Sequence, residues 1–158
     1  MIRFEATHKM ILLAFPSAKP RTELCDDRSP TDHDLNWCQD ALLRVPWSEL
    51  PLEAVVRNRD CAIYLSPPQL LFCLPAFLRA ALVMITDKPP DGVDDCITFF
   101  RITITDTSKL APLTDNLQRE AIAEVLEVIA QDMQFYGEHE NATEWRGYAS
   151  WWRSMSRT

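Results

Sequence analysis

Apolar residues recur at helical spacing along most of this chain, and one stretch alternates instead. Leu35, Cys38, Leu42 and Val45 fall three or four apart, which predicts a helix over 32–45. Thr31 with Asp34 three positions on is its start signal, and Pro46 ends it. A short helix over 8–15 precedes it across a polar, proline-punctuated loop at 16–30, and another short helix follows Pro51 over 52–58. Ser66-Pro67-Pro68-Gln69 has the makings of a helix start: a serine that can cap, a proline at N1, and a glutamine that can close a capping box. Leu70, Leu74, Phe77, Leu78, Ala81, Leu82 and Ile85 then run down a helix that is apolar nearly all round, so it is expected at the centre of the core. Pro75 within it predicts a kink.

The C-terminal third reads as two more helices. Leu117, Ala121, Ile122, Val125, Ile129, Met133 and Tyr136 make the stripe of a long amphipathic helix over 115–136, with Gly137 as its stop. Asn141-Ala-Thr-Glu144 reads as a capping box opening a last helix, whose core face carries Trp145, Tyr148, Trp152 and Met155. The exception to helical spacing is 96–105, where Phe100, Ile102 and Ile104 alternate with Arg101, Thr103 and Thr105 among β-branched neighbours. That is a strand pattern. Its candidate pairing partners are 62–65 and the N-terminal apolar run. The pattern as a whole predicts a mainly α fold: one compact domain over 1–158, of about five to six helices with one short β element.

One stretch has the look of a family signature. Trp47-Ser-Glu-Leu-Pro51-Leu52 is followed by Ile63-Tyr-Leu-Ser-Pro67 and by Cys73-Leu-Pro-Ala-Phe-Leu-Arg-Ala-Ala-Leu82. Together with Ile11 to Pro16 and Leu113-Thr…Gln118…Ala121-Ile122, these residues resemble an uncharacterised bacterial domain-of-unknown-function family. That family is marked by a Trp…Leu-Pro segment and a Leu-Ser-Pro…Leu-Pro-Ala-Phe-Leu core. The resemblance covers about 10–133 and leaves the Trp-rich helix over 141–156 unmatched. It implies a small, mostly helical bacterial cytosolic domain and brings no catalytic residue with it. The residues also have a plain structural reading, in which they start, cap and kink helices.

Composition narrows the function classes. The 158 residues carry a net charge of −7, with 47% hydrophobic and 25% charged residues. Lys and Arg are scattered, with a weak cluster at Arg146, Arg153 and Arg157. Nucleic acid is therefore disfavoured as a partner. The central apolar helix is broken by Pro75 and carries Arg79, which argues against a membrane span. The five cysteines, Cys25, Cys38, Cys61, Cys73 and Cys96, contain no C-x-x-C and lie among apolar neighbours, which predicts buried free thiols. The first residues lack a signal-peptide layout, and the expected compartment is the cytoplasm.

No nucleophile, phosphate-loop or dinucleotide motif is present. Asp32-His33-Asp34 and Glu138-His139-Glu140 could donate metal ligands, but each reads first as solvated surface at a helix start. His33 with Cys38 is a weak thiol-nucleophile pairing, because Cys38 sits on the apolar stripe. Glu120, Glu124 and Glu127 read as the exposed, solvated face of the long helix. Neither a metal nor any other cofactor is expected. The surfaces left for binding are the acidic loop of Asp87, Asp91, Asp94 and Asp95, and the aromatic set of Trp145 and Trp151, since Trp151 and Trp152 cannot both face the core. The sequence reading is a non-catalytic protein-binding module, in its sharpest form an immunity protein that masks a basic toxin domain. The alternatives are a general adaptor or self-associating protein, and a hydrolase-type enzyme.

Overall fold

The computed structural model describes residues 2–17, 32–86 and 107–155. Its helices are α1 (Ile2–Ala14), α2 (His33–Leu42), α3 (Leu52–Arg57), α4 (Pro67–Thr86), α5 (Thr107–Leu110), α6 (Asn116–Phe135) and α7 (His139–Ser154). Short 3-10 turns lie at Trp47–Glu49, Arg59–Ile63 and Ala111–Leu113. The described residues contain no strand, and the predicted strand at 96–105 lies outside them. Neither of its candidate partners is extended. Ala62 and Ile63 belong to a 3-10 turn, and the N-terminal apolar run is helical from Ile2, six residues earlier than expected from the sequence.

The local signals explain most boundaries. Asp115 accepts from the Gln118 N–H at 2.8 Å, and the Gln118 side chain accepts from the Asp115 N–H at 3.1 Å, so α6 opens with a reciprocal capping box. It closes on Gly137, at φ +85°, a left-handed conformation that costs glycine little. There the Glu138 N–H donates to the Met133 carbonyl and the Gly137 N–H to the Gln134 carbonyl, the paired bonds of a Schellman stop. The chain turns directly into α7 from that stop. The helix therefore starts at His139, and the expected capping box at Asn141 falls inside it. Similarly, α2 is capped by Asp32, which accepts from the Leu35 N–H at 2.9 Å, in place of Thr31. At α4 the Gln69 side chain accepts from the Ser66 N–H at 2.9 Å, one of the two bonds of the expected capping box.

Helix α4 is buried on almost every side, as its composition predicts. Cys73, Leu74, Ala76, Leu78 and Leu82 are inaccessible, and α1, α3, α6 and the Trp47 turn pack round it. The broadest contact joins α6 and α7 as an antiparallel hairpin. On α6, Ile122, Leu126 and Ile129 are fully buried, and each contributes roughly 1.5–3 kcal/mol relative to an exposed position. Thr7, Ile11, Ala14 and Phe15 of the α1 segment face the same core.

Trp47 and Arg79 serve this packing. The Trp47 indole is buried and its N–H donates to the Phe15 carbonyl at 3.0 Å, tying the end of α1 to the 47–49 turn. From α4, Arg79 donates to the carbonyls of Ser48, at 3.1 Å, and Leu50, and its guanidinium lies 6.0 Å from the Trp47 ring centroid. Burial holds the Arg79 pKa below its ordinary value. One side chain thus satisfies two carbonyls that helix geometry leaves open.

Cys38 and Cys61 depart from the free-thiol expectation. They form a disulfide with a Cα–Cα distance of 5.2 Å, joining α2 to the Arg59–Ile63 turn across 23 residues of sequence. Packing both residues into the core from different elements brings the sulfurs together, and spacing alone does not reveal that. Closing a loop of this length stabilises a fold by roughly 3 kcal/mol on the chain-entropy model.

Replacing Arg79 should cost more than an exposed charge would. Arg79→Met is expected to lower stability by about 2 kcal/mol, because the Ser48 and Leu50 carbonyls lose their donors. Denaturant unfolding monitored by tryptophan fluorescence checks this, and a loss within error of zero would remove the guanidinium as a structural tie.

Candidate interaction surface

The sequence-predicted site residues separate in the fold. Asp87, Asp91, Asp94 and Asp95 lie outside the described residues. Trp145 is 2% exposed and meets Tyr148 edge-on at 6.4 Å, so it is core and cannot serve as a surface anchor in this state. Trp151 is 37% exposed and stands edge-on to the fully buried Trp152 at 5.4 Å. The helical geometry that sends Trp152 inward sends its neighbour out.

The histidine clusters do not assemble into metal centres. Asp32 is engaged as the α2 cap, and the Asn141 side chain donates to Glu138 at 3.1 Å. Among the described residues no group of three or more His, Cys, Asp or Glu is placed to hold a metal ion. The disulfide removes Cys38 as a nucleophile for His33. Cys73 is fully buried, its Sγ 3.5 Å from the Leu70 carbonyl, and desolvation pushes its thiol up from 9.0 to about 12.

Glu120, Glu124 and Glu127 form no free solvated face. They turn toward α7 and converge on Arg153, at 2.9, 3.0 and 3.9 Å respectively. Arg146 also reaches Glu127, at 3.5 Å, and donates to the Gln134 side chain. Burial opposes the charge on Arg153, but the bond to Glu120 and the three carboxylate charges outweigh it, and its pKa lies above the ordinary value. A shallow cleft of about 210 Å³ lies over this network, lined by Glu127, Arg146, Ser150, Arg153 and Ser154. The sequence hides the arrangement because a charged stripe facing a neighbouring helix has the same spacing as one facing water.

The surface that sequence reasoning missed flanks the disulfide. Trp37 precedes Cys38 and is 54% exposed, while Ile63 and Tyr64 follow Cys61 and are 57% and 44% exposed. The signal for Trp37 was present, since it falls off the stripe of Leu35, Cys38 and Leu42. For Ile63 and Tyr64 it was absent, because nothing local distinguishes a 3-10 turn here from a short strand. The Arg59–Ile63 turn is built on its own backbone: the Cys61 N–H donates to the Asn58 carbonyl at 3.0 Å and the Tyr64 N–H to the Cys61 carbonyl at 3.1 Å. Two elements far apart in sequence, joined by one covalent bond, thus each expose large apolar side chains. A second exposed aromatic pair, Phe135 and Tyr136, marks the α6–α7 tip, with ring centroids 5.2 Å apart.

Comparison with known proteins finds no matching family model, no matching curated protein and no matching solved structure.

Two measurements follow from the titratable groups. Arg153→Ala should cost about 1 kcal/mol in low salt, leaving three glutamates to repel one another, and the cost should shrink in high salt. Urea unfolding at two ionic strengths reads both numbers. The Cys73 thiol is neutral in the fold, and its folded pKa is raised, so its contribution is complete below about pH 9. It falls as pH rises toward about 12, where the unfolded chain gains a thiolate that the folded chain excludes. An alkaline decline in unfolding midpoint that Cys73→Ala reduces is the expected result.

Proposed function

We propose that this chain is a non-catalytic protein-binding module whose partner is basic, acting as an immunity protein acts when it neutralises a bacterial toxin by covering it. The observation that carries the reading is the exposure of Trp37, Ile63 and Tyr64 on the two elements that the Cys38–Cys61 bond joins. Aromatic side chains held on a rigid frame anchor interfaces at small entropic cost. The net charge of −7 adds long-range attraction for a basic partner and steers its approach. The bacterial setting comes from the resemblance of 10–133 to a bacterial family. The cytoplasmic setting comes from the layout of the first residues, and the Cys38–Cys61 disulfide counts against it, since such bonds persist in oxidising compartments.

Affinity capture with the full chain, followed by titration of the captured protein, tests the reading. The expected result is a stoichiometric basic partner whose binding weakens about tenfold or more with Trp37→Ala, at unchanged unfolding midpoint, and weakens further with added salt. A partner indifferent to Trp37, Ile63→Asp and salt would overturn it. A chain that captures only itself would replace it with self-association.

A further inference from the structure

Two neighbouring residues of α2 pull in opposite directions. Gln39 is 2% exposed, yet among the described residues neither atom of its side-chain amide has a hydrogen-bond partner. An amide buried in that way opposes docking of the helix face that carries it. One residue earlier, Cys38 is bonded to Cys61, so covalent attachment sits beside the unfavourable contact. The helix is also short, and its main contacts are with α3 and the Arg59–Ile63 turn. Its far end is anchored differently, by the fully buried Leu42 and Leu43.

From this juxtaposition we propose that the Cys38–Cys61 disulfide is a redox latch: it holds α2 on the Arg59–Ile63 turn, and a dithiol reductant releases the helix and divides the Trp37, Ile63 and Tyr64 surface. In the exchange, one thiolate of the reductant attacks a sulfur of the bond and displaces the other as thiolate. The reductant's second thiol then resolves the mixed disulfide. Cys38 and Cys61 take up two electrons and two protons, and the reductant leaves as its own disulfide. Both sulfurs belong to residues with almost no exposure, so attack waits on local opening of α2. Cys73 stays out of the exchange, because it is sequestered in α4 with its thiol protonated at neutral pH. Once the bond is gone, the unpartnered Gln39 favours an undocked helix, and Leu42 and Leu43 set the hinge. The latch stands on this geometry alone. Only its consequence, partner affinity that follows the state of the bond, rests on the binding role proposed above.

Hydrogen exchange of the full oxidised chain, titrated with dithiothreitol and read by mass spectrometry, tests the latch. A non-reducing digest should first contain the peptide pair linked through Cys38 and Cys61, and its absence would overturn the proposal. Reduction is expected to speed exchange in 33–41 about tenfold or more while the hairpin of α6 and α7 keeps its protection, and reoxidation should restore the original rates. Unchanged exchange in 33–41, or protection lost together across the chain, would overturn it, the second outcome leaving the bond as a staple of the whole fold. Cys38→Ser should reproduce the reduced pattern without reductant, and if that variant fails to fold, the wild-type titration still decides. Local release with no change in partner affinity would uphold the latch and count against the aromatic surface as the binding face.

Discussion

A single buried node organises this fold. The Trp47 indole fixes the end of α1 through the Phe15 carbonyl, and Arg79 brings α4 to the same turn through the carbonyls of Ser48 and Leu50. Three segments separated by some thirty residues each are thereby set in register by groups that carry a definite hydrogen-bond geometry. Apolar packing alone is tolerant of sliding, since many arrangements bury similar area. The polar node removes that tolerance, and α6 and its partner α7 then close over the core that α1 and α4 have defined. Arg119 repeats the device at the other end: it donates to the Met155 and Ala111 carbonyls and so ties the last turn of α7 to the segment that precedes α6.

The helices were legible because their signals are local. The Asp115 and Gln118 box, the Gly137 stop and the apolar circumference of α4 each lie within one or two turns of chain. The start of α7 was misplaced because the Schellman stop delivers the chain directly into a new helix, which makes the Asn141 signal redundant. The burial of Trp145 follows the stripe it shares with Trp152, whereas the disulfide and the convergence of three glutamates on Arg153 were not legible. Each of those two depends on which faces meet, and spacing along one helix does not encode its neighbour.

The candidate surface follows the same division. Trp37 announces itself by standing off its stripe, but its significance comes from Ile63 and Tyr64, which are exposed on the element that the disulfide joins to α2. Charge acts on another scale. Much of the acidity of α6 is consumed internally by Arg153 and Arg146, so the field that a partner meets at long range comes mainly from the remaining carboxylates.

The pairing of α1 with α6 has a consequence for how the chain is made. Residues Ile11 and Phe15 are buried beside a helix that begins a hundred positions later. Protein synthesis proceeds from the N-terminus at about 5–20 residues per second, so this apolar face waits several seconds for the helix that completes its cover. The hairpin of α6 and α7, made after α1 and α4, has mostly local contacts and can assemble quickly once complete. Until α6 emerges, the newborn chain therefore carries a greasy stripe that is only partly covered, and that interval is when holding chaperones have most to protect.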